Sequence, residues 1–114
     1  MMSGKSYPKR GDVYWVNLDP TAGSETKKTR PAVIVSNNVA NQFSHMIIIA
    51  PVTSNAEKIY PFEVPLEVAK KKGKAMLNQI RAIDKARLGK KILSLDVPTM
   101  EKLDEALKLA VGIN

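Results

Sequence analysis

The chain has 114 residues, 44% of them hydrophobic, and a formal net charge of +7 from 18 Lys+Arg against 11 Asp+Glu. That length fits one domain over residues 1–114, with no room for a second. The absence of cysteine excludes a disulfide framework, a thiol nucleophile and a cysteine-based zinc site, and fits a cytoplasmic protein.

Residues 1–9 read as a flexible lead without the apolar core of a signal peptide. Gly11-Asp12 turns the chain into a first strand over 13–18, with Tyr14, Val16 and Leu18 on one face and Val13 and Trp15 on the other. Pro20 has no N–H to give a ladder and stops this strand. A polar connection of about ten residues follows, long for two strands and therefore a candidate functional loop. It carries Ser24, Glu25, Lys27 and Lys28, and ends at Arg30-Pro31, where a second strand opens over 32–35. Asn37-Asn38 reads as a turn and 41–45 as a polar connection. Residues 46–52 are apolar on both faces, as in a central strand, and far too few to span a bilayer. Next come a short strand over 62–64, a short helix over 65–72 ended by Gly73, a long strand over 75–83, a turn or one helical turn over 84–89 and a strand over 91–95.

The last element is an amphipathic helix over 98–111. Met100, Leu103, Leu107, Ala110 and Val111 form its apolar stripe, Asp104 and Lys108 an i,i+4 pair, and Gly112 its stop. Short strands with one terminal helix give a mainly β protein, a small and strongly bent antiparallel barrel or sheet.

The charge is unevenly spread. Residues 67–91 hold nine basic residues and two acidic ones, Glu67 and Asp84, so this segment carries the whole surplus. A polyanionic partner is the functional reading, and a lysine face kept for solubility is the plain one. His45 is the only histidine, so one chain has no two-histidine acid–base pair. No cluster of His and carboxylates has metal-site spacing, and no phosphate-binding glycine loop is present, so neither metal nor cofactor is expected.

Two adjoining segments carry a family resemblance. Gly11-Asp-Val-Tyr-Trp-Val-Asn-Leu-Asp-Pro-Thr-Ala-Gly-Ser-Glu25 and Thr29-Arg-Pro-Ala-Val-Ile-Val35 resemble the opening of the MazF/Kid/PemK toxins, mRNA-cleaving endoribonucleases of bacterial toxin–antitoxin pairs. Pro51-Val-Thr-Ser54 and Asn78-Gln-Ile-Arg-Ala-Ile-Asp84 match later family blocks in the same order, so the resemblance spans roughly residues 9 to 111. It implies the Src-homology-three-like barrel of the plasmid-maintenance toxins, a homodimer, single-stranded RNA as substrate and an acidic, MazE-like antitoxin as partner.

The resemblance also implies Arg30 and Thr53 as catalytic residues, and RNA chemistry suits them. The 2′-hydroxyl is an internal nucleophile, already close to the scissile phosphorus. The protein must align it, stabilise charge on the phosphoryl oxygens and help move protons. A guanidinium offers five donors and a fixed charge, and the Thr53 hydroxyl adds one more donor. The ordinary structural alternatives are an ion pair between Arg30 and Glu25, and Thr53 as a strand-end cap. Ser24, Glu25, Asn78 and Gln79 are candidate contacts to ribose or base edges, with Asn78 and Gln79 expected on a strand. Lys27 and Lys28 are candidate phosphate contacts. Phe43, Tyr60 and Phe62 suit either base stacking or the core.

Kid-type members are thought to use a histidine, an arginine and an aspartate, where this chain has Ser24, Met76 and Asn78, so the Arg30–Thr53 version fits better. Two other readings compete. One is a CcdB-like gyrase poison, disfavoured because Val111-Gly112-Ile113 lacks that family's tryptophan. The other is a non-catalytic RNA-binding barrel.

Overall fold

A computed structural model of the chain describes residues 6–18 and 29–114. Strands β1 (Asp12–Asn17), β2 (Thr29–Ile34) and β3 (Met46–Thr53) lie side by side, each antiparallel to the next. Helix α1 (Asn38–Phe43) joins β2 to β3. Strands β4 (Glu63–Val68) and β5 (Lys71–Met76) form a hairpin. A 3-10 turn over Leu77–Gln79 leads to β6 (Arg81–Asp84), and a second over Lys85–Arg87 leads to β7 (Leu88–Ser94). Helix α2 (Val97–Val111) ends the fold. Among the described residues the strand order is β4-β5-β3-β2-β1-β7, with β6 also beside β3.

β3 is the hub. One of its edges pairs with β2. The other is divided: β6 takes Met46 to Ile49, and β5 takes Val52 and Thr53. This division explains why the strand expected over 75–83 is broken. The 3-10 turn interrupts it, with Leu77 fully buried and its N–H donating to the Phe62 carbonyl at 3.2 Å. The sheet therefore curls, as a half-barrel does.

Two apolar clusters fill the faces. On one, Val13, Val33, Ala50, Val52, Val64, Val68, Ala75 and Leu77 pack with Leu103 and Ala106 of α2. On the other, Val16, Ala32, Ile34, Ile47, Ile49 and Ile83 pack with Tyr14, Leu18 and Leu88. Burial of this much aliphatic surface is the main stabilising contribution. The alternation read over 13–18 puts Val16 with Tyr14 and Leu18, and Val13 opposite, as expected.

Several expectations need correction. The helix expected over 65–72 is the β4–β5 hairpin, whose Val64 and Val68 alternate into the core. Asn37 is an N-cap rather than a turn residue, and its side chain accepts the Ala40 N–H at 2.8 Å. The polar connection over 41–45 is largely helical, with Asn41 buried and donating to the Ser36 carbonyl at 2.9 Å. Lys9, placed in the flexible lead, is tied to the fold by its N–H to Asp12 Oδ2 at 2.9 Å.

In α2, Asp96 caps the Thr99 N–H and Gly112 closes the helix in the left-handed region at φ 78°. Met100, Leu103, Leu107 and Ala110 face the core as expected, but Val111 is half exposed. Asp104 pairs with Arg10 at 2.8 Å and Lys108 with Glu105 at 3.4 Å, so the expected Asp104–Lys108 pair is not formed. No helix among the described residues is long and apolar enough to cross a membrane.

Candidate active site

The strand registers bring the candidate catalytic residues together. Val16 on β1 stands opposite Arg30 on β2. Ala32 stands opposite Pro51, the last paired position of β2 and β3, and Arg30 and Thr53 each lie two residues beyond it on their own strands. Thr53 in turn pairs with Lys74 on β5. Arg30 and Thr53 thus lie on the same face of the sheet.

Two clefts meet at this pair. One, of about 600 Å³, is bounded by Arg30 and Thr53 with Trp15, Pro31, Ser54, Lys71, Lys72 and Gly73 among others. The other, of about 360 Å³, is bounded by the same two residues with Leu18, Pro51, Met76, Gln79 and Arg81. Arg30 is half-buried, and among the described residues it has no carboxylate partner. The Thr53 Oγ1 accepts the Asn55 N–H at 3.2 Å, so the strand-end role is real. That bond uses a lone pair and leaves the hydroxyl proton to donate.

The ground beneath Thr53 is firm. Gly73 passes so close to the Thr53 backbone that a Cβ there would collide with the Thr53 carbonyl oxygen. Next to it, Lys74 turns inward: its Nζ donates to the Lys58 carbonyl at 2.6 Å and pairs with Glu63 at 2.9 Å, with both side chains buried. Burial works against ionisation of Glu63, but the Tyr60 N–H and the Lys74 ammonium outweigh it and hold this carboxyl below its usual range. The segment after Thr53 is thereby bound back to β4 and β5. Tyr60 and Phe62 stack on each other at 5.5 Å, with Lys58 and Lys74 over the Tyr60 ring.

Of the residues singled out from sequence, Arg30, Thr53 and Gln79 gather on the smaller cleft. Asn78 and Gln79 both sit exposed on the 3-10 turn, not on a strand as expected, and Asn78 bounds neither cleft. Ser24, Glu25, Lys27 and Lys28 lie outside the described residues. Phe43 belongs to neither core nor cleft and is 76% exposed on α1. Lys74, counted with the basic segment, is spent on its buried pair. Sequence reading misses Trp15 and Arg81 as cleft residues. The Trp15–Pro31 pairing beside Arg30 carries the first, and the break in the 75–83 strand the second. No group of three or more His, Cys, Asp or Glu among the described residues is placed to hold a metal ion.

A curled antiparallel sheet with one terminal helix is the build of the small toxin ribonucleases. Solved structures bear this out. MazF from Deinococcus radiodurans matches with a TM-score of 0.80 at 27% identity, over 96% of this chain and 100% of that one. The same organism's MazE–MazF structure matches at 0.80 and 26% identity, with the same coverage. Endoribonuclease EndoA of Bacillus subtilis is 40% identical over 111 residues, covering 92% of this chain and 95% of that protein. The family model of PemK-like, MazF-like toxins of type II toxin–antitoxin systems matches residues 9–111. The chain belongs to that family and is a MazF-like toxin endoribonuclease.

Proposed function

We propose that the whole chain, as one domain, is a cytoplasmic, sequence-specific endoribonuclease. It cuts single-stranded mRNA without a metal ion, leaves 2′,3′-cyclic phosphate and 5′-hydroxyl ends, and so stops translation. The observation that carries this reading is that Arg30 and Thr53 both border the same two clefts. In the reaction the 2′-oxygen attacks phosphorus and the P–O5′ bond breaks. Arg30 stabilises the charge on the phosphoryl oxygens, and the Thr53 hydroxyl donates to one of them. The 5′-oxygen gains a proton late in the step, and solvent takes up the proton lost by the 2′-hydroxyl. Ser24, Glu25, Asn78 and Gln79 contact ribose and base edges, and Lys27 and Lys28 contact phosphates.

The protein pairs as a homodimer. Val39, Phe43, Met46 and Ile48 leave apolar surface for a partner copy to cover. Its inhibitor is an acidic, MazE-like antitoxin whose extended segment occupies the RNA cleft and hides Arg30. The MazE–MazF structures from Deinococcus radiodurans support a partner of that kind. Purified protein incubated with a long RNA in EDTA tests the enzymatic reading. Discrete fragments with cyclic phosphate ends are expected. Activity lost in EDTA and restored by Mg²⁺ would overturn it.

A further inference from the structure

Arg30 is not alone on the smaller cleft. Arg81 opens β6 and stands opposite Ile49, on the edge of β3 away from β2. Ile49, Pro51 and Thr53 share one face of β3 because side chains alternate along a strand. Arg81, the partner of Ile49, shares that face, and so does Arg30, two residues from the Ala32 that stands opposite Pro51. The two arginines thus approach from opposite edges of β3, and both border the 360 Å³ cleft over an apolar floor of Leu18, Pro51 and Met76.

Neither arginine has a carboxylate partner among the described residues. Glu63 is held by Lys74, and Asp84 accepts the Ala86 N–H at 2.8 Å. Two fixed positive charges on one small cleft repel each other until anions settle between them. The two side chains reach this cleft from opposite edges of β3, Arg81 beside Ile49 and Arg30 beyond the Ala32–Pro51 pair, an arrangement that sets two anion positions side by side rather than one.

We propose that Arg81 holds a second phosphate of the RNA, the one adjoining the phosphate held by Arg30 and Thr53. This rests on the reading of Arg30 and Thr53 as the scissile-phosphate site. It makes the enzyme sensitive to charge next to the cut as well as at it. Arg81 binds and sets the path of the strand, and it takes no part in bond breaking.

The test pairs a protein change with a substrate change. An RNA cut by the unaltered protein is remade with one uncharged methylphosphonate beside the cut, on the 5′ flank and then on the 3′ flank. The unaltered protein is expected to lose about ten- to hundredfold in kcat/KM on one flank only. Arg81→Gln is expected to lose a similar factor on native RNA and nothing more on that modified RNA. Its log–log salt slope should be shallower by about 0.7. Losses that multiply, or a flank charge that never matters to the unaltered protein, would overturn the second-phosphate site. Arg81→Lys, which keeps the charge but not the fork of donors, takes its place if Arg81→Gln folds poorly, and its smaller loss on native RNA should likewise vanish on the modified RNA. Failure of the unaltered protein to cut native RNA would instead overturn the scissile-phosphate reading, and this site with it.

Discussion

The Thr53 carbonyl oxygen occupies the space that a Cβ at Gly73 would need. A strand bearing a candidate catalytic hydroxyl is thus held in backbone contact with its neighbour, and only glycine allows that approach. Gly73→Ala should push β5 away from Thr53 and destabilise the fold by about 1–3 kcal/mol. Cleavage should fall further than stability explains. Chemical denaturation alongside single-turnover RNA cleavage measures both, and unchanged stability in Gly73→Ala would show that the contact relaxes freely.

The buried Glu63–Lys74 pair gives the fold an acid sensitivity. The Glu63 carboxyl lies below its usual range when folded, so its ion pair stabilises the protein above the unfolded carboxyl value of about 4.3 and is lost as pH falls through the folded value. Lys74→Met should cost about 3–5 kcal/mol at neutral pH, because it strands a buried carboxylate. The variant should also lose less stability on acidification than the unaltered protein does. Melting temperatures from pH 7 down to pH 3 read both effects.

The β4–β5 turn is strained. Ala69 and Lys70 are both in the left-handed region, at φ 53° and 65°, with Val68 and Lys71 pairing across them. Such two-residue turns favour glycine at the second place. Lys70→Gly should stabilise the protein by about 1 kcal/mol, seen as a raised denaturation midpoint with an unchanged slope.

Much of this fold is legible in the amino acids, for reasons that also explain the misses. The apolar run over 46–52 marks the central strand although Met46 and Ile48 stay exposed, and the three-and-four spacing of Met100, Leu103 and Leu107 reports directly the face that α2 buries. Gly73 is ambiguous because a helix stop and a close strand crossing both call for glycine. Val64 and Val68, at even spacing, carry the signal for a strand instead. The interrupted strand at Leu77 follows from two strands sharing one edge of β3, a tertiary fact with no local trace. Arg30 and Thr53 stand out through family resemblance rather than spacing. Their meeting depends on the β2–β3 register, and Arg81 joins them only because the 3-10 turn re-aims β6.

The measurement that bears most directly on the catalytic role of Arg30 is the single-turnover cleavage rate of Arg30→Ala at saturating RNA in EDTA, beside the unaltered protein. Removing a donor that acts on transition-state charge should lower the rate by about a hundredfold or more. Folding and RNA binding should be little affected. A variant that cleaves at the unaltered rate would contradict the assignment of Arg30 to the scissile phosphate.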